Sequence, residues 1–151
     1  MENKHRGILM QADKRNRNGR IYPEEIFNKA VVDYSVMIKD KRAYGELGHP
    51  DSMDVSLMNV SHVIHNILNK FPKVPRKKKK QMKKAGTYKR NLYLVDYEFL
   101  KTDKGNTAMK LKKSIDLVPS PRGIGSTDAD GVIQPDYKLM AIDLINPKDR
   151  A

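Results

Sequence analysis

Apolar side chains recur along this chain with two different periods. Residues 6–12, RGILMQA, form an apolar run of strand length. The polar segment DKRNRNGRIY follows, and its Asn18-Gly19 pair marks a turn. Pro23 then opens PEEIFNKAVVDYSVMI, with acids in the first turn and Ile26, Ala30, Val31 and Tyr34 at helical spacing, which predicts a helix. RAYGEL predicts a strand leading into His49, while VSLMNVSHVIHNIL (55–68) suits strand or helix equally by period. NLYLVDYEFLK (91–101), rich in aromatic and apolar residues, predicts a strand, so that it and the preceding run make a hairpin with a long tip. Asn106 or Thr107 is placed to cap a short helix over TAMKLKKSI, whose later lysines suit the C-terminal dipole. DLVPSPRGIGSTDADG, broken by Pro119, Pro121, Gly123 and Gly125, reads as loop or strand edge, and VIQPDYKLMAIDLI supplies the last strand or two. Five strands without βαβ alternation, repeats or a linker predict one α+β domain over residues 1–151, built on an antiparallel sheet or barrel.

A chain of 151 residues can bury a real core without staples. With no cysteine, disulfides, thiolate zinc sites and cysteine catalysis are excluded. No apolar run approaches the ~20 residues that span a bilayer, and MENKHRGILMQADK turns polar too soon for a secretory signal. A soluble intracellular protein is the expectation. The net charge is +12, but eleven Lys and Arg residues and no acid lie between Leu68 and Tyr93. Removing those eleven leaves +1, so the basicity belongs to one local segment at about 70–90. Its charge density and its Pro72 and Pro75 predict a mobile, solvated loop that could touch nucleic-acid phosphates or an acidic protein.

Candidate chemistry starts from four histidines. His5 lies near the terminus. His62 and His65 share a face only if their segment is helical, and no carboxylate pattern completes a metal set, so packed histidines and no metal are expected. His49 sits in GELGHPDS, after two glycines and before a proline, a turn suited to display. PSPRGIGS holds Ser120 between prolines that fix φ and remove backbone donors, followed by Arg122 and two glycines. A serine hydroxyl needs a base to take its proton, and that base needs a third group to orient it. Asp143, an acid set among Ile142, Leu144 and Ile145, is the candidate, with Glu46 and Asp51 as sequence-local alternatives. On the opposite reading Asp143 is a strand-end acid that is simply solvated or paired with Lys138 or Arg150.

Three blocks together resemble the prohead core proteases of T4-related tailed phages, a family similar to the herpesvirus assemblin proteases. GILMQADKRNRNGRIYPEEIFNKAV looks like the family's strand, Asn-Arg-Asn turn, Tyr-Pro and helix. GELGHPDS resembles its Gly-Glu-Leu-Asn-His-Pro block, whose histidine is catalytic and matches His49. PSPRGIGS resembles its Ser-Ser-Arg-Gly-Leu-Gly-Ser block, whose first serine is the nucleophile and matches Ser120; DYKLMAIDLINP looks like the region of the third triad member. Gly48 stands where relatives carry Asn, and Pro121 replaces the second serine, removing an N–H. The basic segment looks like an insertion, and the chain stops sooner after Asp143 than relatives do, as a processed or trimmed form would.

The resemblance implies a small antiparallel β-barrel ringed by helices and a serine endopeptidase without cofactor. The catalytic set would be His49, Ser120 and Asp143, although assemblins place a second histidine third. Arg122 and the N–H groups around Gly123 would stabilise the oxyanion. The implied substrates are scaffold and core proteins, the capsid protein's N-terminal segment and the protease itself, inside the prohead in the host cytoplasm, with possible self-association and no membrane. The alternative is a non-enzymatic core component that binds nucleic acid or scaffold through the basic segment.

Overall fold

The computed structural model describes residues 3–149. In chain order the elements are β1 (Lys4–Gln11), α1 (Glu24–Lys39), β2 (Tyr44–Glu46), β3 (Val60–Lys70), α2 (Arg76–Ala85), β4 (Leu92–Phe99), α3 (Asp103–Lys112), β5 (Val118–Ile124) and β6 (Lys138–Ile145). The ambiguous run 55–68 resolves as a strand, preceded by a single 3₁₀ turn over Leu57–Asn59. Its β-branched Val60, Val63, Ile64 and Ile67 favour a pleated surface, and antiparallel pairing with β4 from His62↔Phe99 to Lys70↔Leu92 fixes the choice.

β4 shows why the sheet forms. Its burial alternates strictly, with Tyr93, Val95, Tyr97 and Phe99 inward and Leu92, Leu94, Asp96 and Glu98 on the other face. It lies between β1 and β3 in a four-stranded sheet of order β1-β4-β3-β2. α1 buries Phe27, Ala30 and Tyr34 against the core, the i, i+3, i+7 stripe of an amphipathic helix. Phe27 meets Tyr93 edge-on at 4.8 Å between ring centroids.

β5 and β6 form a separate two-stranded antiparallel sheet. The expected α+β class and antiparallel pairing are present, but the strands make two sheets and no closed barrel. One physical reason is visible in β5. Pro119 and Pro121 have no N–H, so this strand lacks two of the donors that a further ladder would need. The sheets instead meet by packing, β1 against β5 and β2 against β6, and through one parallel bridge, Leu47↔Leu144.

Two further expectations are corrected. The basic segment contains a helix, α2, not a featureless loop. Arg, Lys, Gln and Met are good helix formers, Pro75 with φ −57° presets the first turn, and Gly86 with φ +71° ends it. α3 starts earlier than either cap proposed for it: the Thr102 side chain accepts from the Gly105 N–H at 2.9 Å. Gly105, a poor helix former, hides that start in the sequence. Among the described residues no helix is long and apolar enough to cross a membrane.

Candidate active site

The site is assembled at the seam between the two sheets. On β5, Ser120 and Arg122 are two residues apart and share one face. Directly across the ladder, Ser120 pairs with Asp143 of β6, so their side chains rise from the same side of the small sheet. β2 then brings in the third element. Beyond Glu46 the chain is pinned to β6 by the Leu47↔Leu144 bridge and by the Gly48 N–H donating to Leu144 O at 2.7 Å. Gly48 has φ +82°, in the left-handed region that Gly and Asn adopt most readily, which rationalises the Asn of the resembling block. This turn sets His49 over Asp143.

The result is a continuous hydrogen-bonded chain. His49 Nδ1 lies 2.7 Å from Asp143 Oδ2, and His49 Nε2 lies 3.0 Å from Ser120 Oγ. An ionised carboxylate only accepts, so Nδ1 donates to Asp143, and Nε2 is left to accept from the serine hydroxyl. Asp143 is fully buried and Ser120 is 5% exposed, while the His49 side chain is 36% exposed. The base is therefore open to the cleft and the carboxylate is sealed behind it.

Asp143 is held by more than the histidine. Arg122 donates to it twice, Nε to Oδ2 at 2.9 Å and Nη2 to Oδ1 at 2.8 Å, and the Glu46 N–H donates to Oδ1 at 3.0 Å. Burial alone would push its carboxyl pKa up, but the hydrogen bonds from His49, Arg122 and Glu46 outweigh it and hold Asp143 below the ordinary carboxylate range. Arg122 is itself anchored: Nη2 donates to Glu46 Oε2 at 3.0 Å, and Nη1 to Ser52 O at 3.0 Å and Asp54 O at 2.9 Å. A guanidinium has five N–H donors, and these five contacts engage all of them.

That count corrects the expected role of Arg122, since no donor remains for an oxyanion. Gly123, three residues beyond Ser120 and past a register shift in β5, lines the same cleft. The alternatives to Asp143 separate cleanly. Glu46 is buried and turned to Arg122 and to the Ser56 N–H, and Asp51 is exposed. Asp143 pairs with His49 and Arg122 rather than with Lys138; Arg150 lies outside the described residues.

The two histidines of β3 are accounted for. The Ser61 hydroxyl donates to His62 Nδ1 at 2.7 Å, and His62 Nε2 donates to Ile142 O at 2.7 Å. Burial lowers its pKa to about 4, so it is a neutral core histidine. His65 points the other way, to Glu98 at 2.7 Å on the surface.

Above Ser120 opens a cleft of about 610 Å³. β1 residues Ile8–Gln11 form one wall, and His49, Met53 and the 14–20 loop form others. That loop is shaped by Asn16, whose Oδ1 accepts from the Asn18 and Arg20 N–H groups, both at 3.0 Å. Sequence reasoning treated the loop as a turn and missed that it borders the site. The signal was there: three arginines around an Asn-Gly turn, directly after the first strand.

Comparison with known proteins agrees with this architecture. The bacteriophage T4 capsid assembly protease, gp21, superposes with a TM-score of 0.73 over 94% of this chain and 80% of that one. At 24% identity this is a likeness of fold. The prohead core protein protease of Enterobacteria phage T4 is 44% identical over 62 residues, 40% of this chain and 29% of that protein. The chain's alignment thus spans less than a third of that relative's length. The sequence match bears out the resemblance to the T4-related prohead proteases, and the structural one the fold. The family match itself covers residues 4–90, which takes in His49 but neither Ser120 nor Asp143. Because that match extends over more than half of the sequence, the chain belongs to the prohead core protein serine protease family.

Proposed function

We propose that this protein is a serine endopeptidase of prohead maturation, with Ser120 as nucleophile, His49 as general base and Asp143 as the orienting acid. The observation that carries the reading is the unbroken chain Ser120 Oγ–His49 Nε2 and His49 Nδ1–Asp143 Oδ2, at 3.0 and 2.7 Å, on the floor of a cleft. In this mechanism Ser120 Oγ attacks the scissile carbonyl as His49 Nε2 takes its proton. Asp143, kept ionised by Arg122 and the Glu46 N–H, fixes the tautomer and stabilises the imidazolium. The imidazolium then protonates the departing amine, leaving an acyl group on Ser120. A water, deprotonated by His49, releases it and restores the serine. Arg122 touches no reacting atom and acts as a positioning residue.

The substrates proposed are internal scaffold and core proteins, the N-terminal segment of the capsid protein, and the protease itself, met inside the prohead in the host cell. The cleft suits an extended segment with acidic character, because Lys14, Arg17 and Arg20 line it. The test is incubation with a prohead scaffold protein, comparing wild type with Ser120→Ala and His49→Ala. Discrete fragments from the wild type alone support the reading. Equal cleavage by Ser120→Ala would overturn it.

A further inference from the structure

We propose that α2 is a docking element for the phosphate backbone of duplex nucleic acid, bound without regard to sequence. Seven of its ten residues are cations: Arg76, Lys77, Lys78, Lys79, Lys80, Lys83 and Lys84. None is buried, and among the described residues none makes a salt bridge, whereas nearby Lys89 pairs with Asp13 at 2.9 Å. Among the described residues no acid neutralises this charge. Packing a like-charged helix with no buried side chain does little for the core, so the fold does not explain it.

The helix is nonetheless held in place. Phe71 and Tyr88, at the two ends of the excursion, stack at 4.9 Å between centroids with planes 19° apart. Lys79 Nζ and Lys83 Nζ lie 5.3 and 5.8 Å from the Tyr88 ring centre, and Met82 is half-buried. These contacts turn the Lys79–Met82–Lys83 side toward the protein. At 3.6 residues per turn the opposite side is centred on Lys77, Gln81 and Lys84, with Lys80 on one flank and Lys78 and Ala85 on the other. No residue of α2 lines the cleft above Ser120, so occupation of one surface leaves the other open.

The chemistry of that outer face selects the partner. It holds cations together with Gln81 and Ala85, with no aromatic or large apolar side chain. Protein interfaces are centred on apolar and aromatic groups and are depleted in lysine, whereas a phosphate backbone needs only cations at suitable intervals. Nucleic acid therefore fits this face better than an acidic protein does.

The test uses the full chain, fluorescence anisotropy, two labelled 24-base-pair DNA duplexes of unrelated sequence, and labelled poly-glutamate. The wild type should bind both duplexes with affinities within about twofold of each other. Four neutralised phosphates predict a fall of about 10²-fold between 50 and 200 mM KCl, from a slope of about 0.9 per phosphate. The variant Lys77→Gln/Lys78→Gln/Lys80→Gln/Lys84→Gln should bind at least about tenfold more weakly at 50 mM and lose most of the salt dependence. Its circular dichroism and thermal midpoint should match the wild type. Absence of duplex binding at 50 mM, equal binding by the variant, or tighter binding of poly-glutamate than of DNA would each overturn the proposal; the last would assign α2 to an acidic protein.

Discussion

Replacing Arg122 by Met tests the organisation of the site through stability, independently of turnover. The substitution keeps much of the side-chain volume but removes all five donors from Asp143, Glu46, Ser52 O and Asp54 O. Asp143, fully buried, keeps only His49 and the Glu46 N–H. Removing one partner of a buried ion pair costs about 3–5 kcal/mol, because the remaining charge stays desolvated. At about 2–4 °C per kcal/mol for a domain of this size, the thermal midpoint at pH 7.5 should fall by roughly 6–20 °C.

The pH dependence gives the sharper readout. In the wild type Asp143 titrates below its unfolded value, so its contribution is present above the ordinary carboxylate pKa and is lost as pH falls through the folded one. In Arg122→Met burial is no longer offset by the guanidinium, and the folded pKa moves above the unfolded value. The penalty is then largest at neutral pH and shrinks as acid protonates the carboxyl. Differential scanning calorimetry from pH 7.5 to 5 should show the gap between variant and wild type narrowing. Arg122→Lys should fall between, since a lysine keeps the charge but cannot fork. A midpoint within 1–2 °C of wild type, or a deficit constant over this pH range, would refute the reasoning.

Other residues make separable predictions. His62→Gln should leave cleavage intact and cost stability at neutral pH, about 1–3 kcal/mol for a disturbed buried hydrogen bond. The wild type should also lose stability between pH 6.5 and about 4, where unfolded His62 is protonated and the buried ring is not, and chemical denaturation should show that part of the acid sensitivity absent from the variant. Gly48→Asn should be nearly neutral in both assays, while Gly48→Val, forced to φ +82°, should lose about 1–3 kcal/mol and displace His49. Deleting residues 73–86 and closing the gap with a short turn should shift the thermal midpoint by only a few degrees, as α2 buries nothing; unfolding would show that it is structural.

The sequence made some of this legible because some rules are local. The β4 strand and the α1 helix follow from composition and period, though the buried stripe of α1 uses Phe27 where the spacing points to Ile26. Ser120 and His49 stood out because prolines and glycines constrain both turns, and Asp143 because a carboxylate among Ile142 and Leu144 needs a reason to be there. The Arg122 contacts were not legible. They join residues 21 and 76 positions apart, and which donors remain free depends on the β5–β6 register. α2 was missed for a different reason: dense positive charge argues for repulsion, yet lysine and arginine have high helix propensity and the Phe71–Tyr88 stack closes the excursion. A single barrel was expected, and only the arrangement of hydrogen bonds distinguishes it from two packed sheets.

In the proposed mechanism Ser120 is a nucleophile activated by His49 and Asp143. Its most direct test is covalent trapping with a fluorophosphonate probe, followed by peptide mapping in a mass spectrometer. One adduct is expected, on Ser120, formed quickly by the wild type and slowed by several orders of magnitude in His49→Ala and in Asp143→Asn. An adduct on another residue, or labelling of Ser120 at an unchanged rate in both variants, would contradict it.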